Sequence, residues 1–161
     1  MNLEQLFKLQ NELNEKILAC KHLDEGTLHS KKLLALLVEL GELANETKSF
    51  KYWSIAKPSE KNIVLEEYVD CLHFILTLGL DKHYTHISPN IKPNDYSITE
   101  QFLNLYVDIN DLMVTSSIDH YTTLFEDFLS LGLSLGFSIE EIQITYIEKN
   151  NINHKRQENN Y

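Results

Sequence analysis

Helical periodicity runs through almost the whole of this 161-residue sequence, and it limits the possible folds more than any other feature. Apolar residues recur at steps of three and four, which is the repeat of an α-helix, and no segment alternates apolar and polar residues as a strand would. The pattern predicts six helices, so we expect an all-α helical bundle. The helices are expected at about residues 2–20, 28–47, 60–80, from 97, 119–135 and from 138.

Polar residues mark where the later helices begin and where the bundle is expected to end. The segments "SITE", from Ser97, and "SIEE", from Ser138, match the capping box, in which a serine and a glutamate three residues on satisfy the first backbone N–H groups of a helix. The last segment is polar and shows no apolar face. We therefore expect a single domain over residues 1–161, with a helical core over about 1–148 and a polar tail over about 149–161.

The charge balance excludes several classes of partner. The chain has 14 basic and 24 acidic residues, a formal net charge of -10, which is unsuited to the phosphate backbone of a nucleic acid or to an anionic membrane surface. No apolar run approaches the roughly 18 residues that a membrane span needs. The N-terminus lacks the features of a signal peptide, and Cys20 and Cys71 suggest buried thiols rather than a disulfide. These features predict a cytoplasmic protein.

Carboxylates interrupt two segments that are otherwise apolar on nearly every face. Glu39 and Glu42 form an E-x-x-E motif in the second predicted helix, and Glu67 and Asp70 form an E-x-x-D motif in the third. Residues three apart lie on one face of a helix, and the 24 residues between Glu42 and Glu67 allow the chain to turn and return antiparallel. The two pairs can then face each other. The alternative is that each pair forms an ordinary solvated face, as in an acidic helical interaction module without enzymatic activity.

Four carboxylates that converge in a partly dry place repel one another and are costly to ionise. A hard divalent cation resolves this repulsion. All-oxygen ligation favours Mg²⁺ over Zn²⁺, with Mn²⁺ as an alternative ion. Since Mg²⁺ bound by a few carboxylates keeps positions open for substrate phosphates, the cluster points to phosphoryl chemistry.

Four segments carry further motifs around these carboxylates. They are "LQNELN" from Leu9, "ELGELANETKSFKYW" from Glu39, "EEYVDCLHFILTLG" from Glu66 and "YIEKNNINHKRQENNY" from Tyr146. E-x-x-E with E-x-x-D resembles the MazG-like all-α NTP pyrophosphatase superfamily. The F-K-x-W ending and the C-terminal motif narrow the resemblance to the dimeric all-α dUTPases. One departure is Asn160, where the family pattern has glycine.

The resemblance implies an enzyme, a dUTP diphosphatase that hydrolyses dUTP to dUMP and pyrophosphate and so limits uracil incorporation into DNA. It also implies a homodimer, dUDP as a further candidate substrate, and Mg²⁺ as the cofactor. The implied metal ligands are Glu39, Glu42, Glu67 and Asp70. Of these four, Glu39 is expected to accept the proton of the attacking water, with Glu42 as the second catalytic candidate.

The resemblance also assigns the residues that contact the nucleotide. The C-terminal tail is expected to order over the triphosphate. Its phosphate-binding residues are Lys149, Asn153, Arg156 and Tyr161. The residues expected at the base or sugar are Gln10, Asn14, Trp53 and His73. A related pyrophosphatase acting on another nucleoside triphosphate, such as dCTP, would share the metal cluster and differ at the base, so it stays open as an alternative.

Overall fold

The part of the chain that the structure describes folds into six α-helices and one short 3-10 turn. The structure, a computed structural model, describes residues 1–21, 23–92 and 94–159, and no strand occurs in these ranges. The prediction of an all-α fold is confirmed. The helices are α1 Leu3–Lys21, α2 His29–Thr47, α3 Lys61–Asp81, α4 Ile98–Val114, α5 Ile118–Ser134 and α6 Ile139–Glu158, and the 3-10 turn is Glu25–Thr27.

Helix α3 is the centre of the bundle and packs against α1, α2, α5 and α6. Most of its residues are buried, because its sequence is apolar on nearly every face. Helix α2 has its longest contact with α3. Lys32 near the start of α2 pairs with Asp81 at the end of α3, and the end of α2 is joined through Glu46 to Ser59, just before α3 begins. The two helices are therefore antiparallel, as the spacing of their carboxylates predicts.

Two buried tyrosines lock α3 and α5 together by lying against glycines. The hydroxyl of Tyr121 donates a hydrogen bond to the carbonyl of Ile75 at 3.0 Å, and its ring end lies where a Cβ at Gly79 would be. Tyr68 of α3 makes the reciprocal contact with α5. Its hydroxyl donates a 2.9 Å hydrogen bond to the carbonyl of Phe128. A Cβ at Gly132 would lie 2.6 Å from the Tyr68 hydroxyl oxygen. Glycine is required at both positions because the tyrosine occupies the space of a side chain.

The start of α6 matches the prediction, but its end does not. The capping boxes at Ser97 and Ser138 are both present and open α4 and α6. Residues 149–158, predicted as a polar tail beyond the helical core, instead continue α6 as regular helix to Glu158. Tertiary partners explain the difference. The side chain of Asn150 is buried and donates to the carbonyl of Leu9 at 3.3 Å, and Glu158 pairs with a lysine of α1.

No helix within the described ranges is long and apolar enough to cross a membrane. The buried apolar residues of the described helices form one core cluster. Gly79 lies inside that core, against the ring of Tyr121. A substitution at Gly79 therefore tests how the core is packed.

We expect Gly79→Ala to lower the free energy of unfolding by about 2–3 kcal/mol, since the new methyl group must displace a fully buried tyrosine and its hydrogen bond. The matched control is Gly41→Ala within α2, where the added Cβ would meet Tyr106 at an ordinary 3.6 Å. That variant should be stabilised by about 0.5–1 kcal/mol through helix propensity. Urea denaturation at one protein concentration measures both; equal stabilities for the two variants would contradict the assigned packing.

Candidate functional site

Three carboxylates from α2 and α3 meet at the surface of the bundle. Glu39, Glu67 and Asp70 each place one carboxylate oxygen within 4.8 Å of the other two, and all three residues are half-buried. Glu67 and Asp70 share a face of α3 because they are three residues apart. Glu39 faces them because α2 is antiparallel to α3 and its leucines pack into the core. We call Glu39, Glu67 and Asp70 the acidic triad.

The acidic triad is electrostatically strained. Burial is the main factor that raises the pKa of Glu39 to about 7, and repulsion from Asp70, Glu42 and Glu67 adds to it. Burial also raises the pKa of Glu67 and of Asp70. Each carboxylate therefore makes its neighbours harder to ionise, and a cation among them would relieve the repulsion. The oxygen-only donor set fits a hard divalent ion such as Mg²⁺.

Glu42 was predicted as a metal ligand and a catalytic residue, and the structure places it beside the acidic triad rather than in it. Its side chain is exposed. It is nevertheless close enough to raise the pKa of both Glu39 and Glu67 by repulsion. Glu46, one turn further on, accepts a hydrogen bond from Ser59 and pairs with Lys48 at 3.7 Å. Glu46 therefore holds the loop between α2 and α3.

Helix α6 places basic and amide side chains next to the acidic triad. Lys149 Nζ lies 2.7 Å from Asp70 Oδ2. Asn153 and Arg156, one and two turns further on, line the adjoining cavity, and Arg156 Nη1 donates to Asn153 Oδ1 at 3.2 Å. Tyr161, also predicted to bind phosphate, lies outside the described residues.

A cavity of about 490 Å³ adjoins the acidic triad, with Glu39 and Asp70 in its wall. Polar groups from α1 and α3 occupy one side of it, and apolar side chains such as Leu13, Ile17 and Phe74 occupy much of the remainder. A mostly apolar cavity with a few converging polar groups is typical of a site for a small organic ligand. The polar groups are Gln10, Asn14, His73 and Thr77.

A hydrogen-bond network fixes the orientation of these polar groups. Gln10 Oε1 accepts from the Tyr146 hydroxyl and from His73 Nδ1, each at 2.7 Å. Asn14 Oδ1 accepts from Gln10 Nε2 at 2.9 Å and from the Thr77 hydroxyl at 3.2 Å. Since Nδ1 carries the proton of His73, its Nε2 carries a lone pair. Burial is the main cause that lowers the pKa of His73 to about 3, so the ring stays neutral near pH 7.

His73 Nε2 is buried and has no hydrogen-bond partner in the part of the chain that the structure describes. A buried acceptor without a partner is unfavourable unless a ligand supplies the donor. The ring of His73 is held in place by stacking on Tyr146, with ring centroids 4.4 Å apart. The sequence reasoning did not select Tyr146 or Thr77. Tyr146 is nevertheless the first residue of the C-terminal motif, three residues before Lys149, and this was the available signal.

The structure brings the predicted residues Gln10, Asn14 and His73 together beside the acidic triad, but it leaves Trp53 apart from them. Trp53 lies in the loop after α2 and is 63% exposed. Its ring contacts those of Phe50 and Tyr52, with centroids 5.8 Å and 5.1 Å away. Trp53 does not line the cavity of its own chain.

The raised pKa of Glu39 predicts a pH-dependent stability in metal-free protein. Between the unfolded value of 4.5 and the folded value of about 7, the folded state binds more protons, so the stability contributed by Glu39 falls as pH rises through this window. The Glu39→Gln variant has no titratable carboxyl group at this position, so it does not lose stability in this way. With a chelator present, we expect the variant to match the wild type at pH 4.5 and exceed it at pH 8 by on the order of 1 kcal/mol, allowing for partial exposure.

Chemical denaturation of both proteins across this pH range measures the difference. Glu46→Gln is the control from the same helix, and it should show no such gain at pH 8. A constant difference between Glu39→Gln and the wild type from pH 4.5 to pH 8 would contradict the assigned repulsion.

The chain matches one known protein family over nearly its whole length. The model of a family described as dUTPase matches residues 2–161 of the chain. The matched span contains the acidic triad, the cavity and α6. A search of curated proteins finds no match.

Proposed function

Because this chain belongs to the dUTPase family, and to its all-α type, we propose that it is a Mg²⁺-dependent dUTP diphosphatase, which converts dUTP to dUMP and pyrophosphate. Family membership implies a hydrolase that acts on dUTP. The observation that carries the finer proposal is the position of the acidic triad beside a cavity whose buried end presents a neutral histidine acceptor. A phosphate-directed metal site and a base-directed pocket are the two halves that a nucleotide hydrolase requires.

We propose Glu39, Glu67 and Asp70 as the ligands of Mg²⁺, with Mn²⁺ as an alternative ion. Their spacing and their mutual repulsion both support this assignment. Glu42, an exposed neighbour that acts on the triad electrostatically, is proposed as a further ligand. When bound, Mg²⁺ would offset the negative charge of the triphosphate and polarise its phosphorus–oxygen bonds.

Glu39 is proposed to accept the proton of the water that attacks a phosphorus atom of dUTP. In the metal-free protein, burial and the neighbouring carboxylates raise the pKa of Glu39 to about 7. A general base works best when its pKa lies near the operating pH. Lys149, Asn153 and Arg156 supply the charge and the N–H donors that hold phosphate oxygens in place for this attack.

The cavity is suited to uracil rather than to cytosine. Uracil offers an N3–H donor between two carbonyl acceptors. His73 Nε2 can accept that hydrogen, and the Asn14 amide nitrogen can donate to a neighbouring carbonyl, since its oxygen already accepts two hydrogen bonds. The N3 of cytosine is itself an acceptor and would face the lone pair of a histidine that stays neutral. This repulsion disfavours a dCTP-hydrolysing enzyme as the alternative.

The substrate proposal is tested by pyrophosphate release from dUTP, dTTP, dCTP and UTP, with and without Mg²⁺. We expect release from dUTP to be Mg²⁺-dependent and release from dCTP to be slower by roughly a hundredfold, the cost of an unmatched buried polar group. Glu39→Gln should lower kcat for dUTP by about two to four orders of magnitude, and it should still bind the nucleotide.

Glu46→Gln serves as the control for that assay, because Glu46 lies on the same helix face and its side chain bonds Asn45, Lys48 and Ser59 rather than a residue of the triad. It should retain kcat within a factor of about two. Near-normal turnover by Glu39→Gln would remove Glu39 from its proposed role. Equal rates with dUTP and dCTP would contradict the proposed base recognition.

We propose that the chain acts as a homodimer through an apolar surface formed by α2 and α4. Leu34 and Val38 on α2 are 62% and 49% exposed, and Leu103 and Val107 on α4 are 61% and 57% exposed. The two helices lie side by side, since the Tyr106 hydroxyl of α4 reaches a carbonyl of α2. Contiguous apolar patches of this kind mark interaction sites. Trp53 lies outside the cavity of its own chain. It could contact the base only if its loop moved, or if it reached the cavity of the second chain of the dimer.

Sedimentation equilibrium tests this interface. The wild type is expected to have the mass of two chains, and Val107→Glu is expected to shift the equilibrium toward one chain, because it places a charge in the middle of the apolar surface. Ile144→Glu is the matched control, since Ile144 is 51% exposed on α6, away from that surface. A monomeric wild type, or dissociation by Ile144→Glu and not by Val107→Glu, would contradict the proposal.

A further inference from the structure

Lys149 occupies an unusual position for a residue expected to bind phosphate. Its ammonium lies 2.7 Å from Asp70 Oδ2, and the side chains of Lys149 and Asp70 are only 15% and 23% exposed. The same ammonium lowers the pKa of Glu39 and of Glu67, so it acts on the whole acidic triad. In this structure Lys149 therefore supplies a positive charge where the metal is proposed to bind.

Other ion pairs of the molecule show that this one is not ordinary surface pairing. Lys61 and Glu141 are also close, at 2.6 Å, but their side chains are 53% and 43% exposed, so water screens their interaction. Lys32 and Asp81 are as buried as Lys149 and Asp70, but Asp81 has a second basic neighbour, His29, whose Nδ1 lies 3.9 Å from it. The Lys149 ammonium, in contrast, offsets three carboxylates that repel one another.

We propose that Lys149 is the counter-ion of the acidic triad in the metal-free protein, and that a divalent cation and the Lys149 ammonium occupy the triad in alternation. Entry of the metal displaces the ammonium from Asp70 and makes it available to the triphosphate. The inference rests on the proposed metal site and goes beyond it, since it makes one lysine a determinant of metal affinity as well as a phosphate ligand.

The structure allows this exchange without movement of α6. Tyr146 and Asn150, on either side of Lys149 in sequence, bind Gln10 and the carbonyl of Leu9, so the helix stays fastened to α1. The four-carbon stem of lysine is flexible and its ammonium is a compact point charge. The cavity that contains Asn153 and Arg156 adjoins the triad, so a short swing of the side chain carries the ammonium from the triad into this space.

The first test measures Mn²⁺ binding by electron paramagnetic resonance at pH 8 without nucleotide. Lys149→Met keeps the apolar stem and removes the charge, and we expect it to bind Mn²⁺ about tenfold more tightly than the wild type, because the competing cation is gone. Lys16→Met is the control. It removes a 2.7 Å ion pair between α1 and α6 that includes no residue of the triad or of the cavity wall, and it should leave the affinity unchanged.

Thermal unfolding separates this role from a merely structural one. Without metal, Lys149→Met should unfold at a lower temperature than the wild type, and saturating Mn²⁺ should raise its Tm by more than it raises that of the wild type. A structural role would lower the Tm equally with and without Mn²⁺. Equal or weaker Mn²⁺ binding by a folded Lys149→Met would overturn the inference.

A second measurement uses the wild type alone and so does not depend on the folding of a variant. Mg²⁺ without nucleotide should raise the rate of lysine acetylation at Lys149 severalfold, as read by mass spectrometry, because the ammonium leaves its partner. Lys32, in its buried pair with Asp81, is the internal control and should keep its rate. An unchanged rate at Lys149 under saturating Mg²⁺ would overturn the inference.

Pyrophosphate release from dUTP by the wild type judges the proposed function separately. If the wild type releases pyrophosphate and Lys149→Met binds Mn²⁺ as tightly as the wild type does, only the alternation of metal ion and ammonium is overturned. A wild type that neither binds Mn²⁺ nor releases pyrophosphate overturns both proposals together.

Discussion

The burial of α3 on nearly all of its sides is the constraint on which the rest of the structure depends. A helix in that position must be apolar, and most of α3 is. Glu67, Asp70 and His73 lie on the one strip of α3 that faces the cavity or its rim. Their low exposure to water changes their chemistry, because a charge is expensive wherever water is excluded. The functional groups of this protein are therefore a consequence of where its central helix is placed.

Burial shifts the pKa of the carboxylates and the pKa of the histidine in opposite directions. It raises the pKa of Glu39, which disfavours the anion, and lowers the pKa of His73, which disfavours the cation. At the acidic triad, a bound metal ion would stabilise the ionised carboxylates. At the other end of the site, His73 stays neutral and keeps Nε2 as a hydrogen-bond acceptor. Under the proposed function, one nucleotide would meet both requirements, with its phosphates at the first end and its base at the second.

The fold and the acidic cluster were accessible from sequence because both depend on local spacing. Helical periodicity and capping boxes are properties of neighbouring residues, and E-x-x-E and E-x-x-D determine which side chains share a face. The extent of α6 was not accessible, since its polar last turns are held by Asn150 and Glu158 through contacts with α1, more than 100 residues away. The tautomer of His73 likewise depends on Gln10 and Tyr146, which come from opposite ends of the chain.

The pairing of α6 with α1 and α3 has a consequence for how the protein is made. Helices α2 and α3, which carry the acidic triad, are both synthesised before α6. Lys149, whose ammonium lies 2.7 Å from Asp70 of that triad, and Tyr146, whose hydroxyl donates to Gln10, are translated only with α6. A nascent chain that stops before α6 would carry the carboxylates but neither Lys149 nor the Tyr146 hydroxyl that holds Gln10 beside His73. Synthesis of α6 is thus the step that completes the proposed nucleotide site.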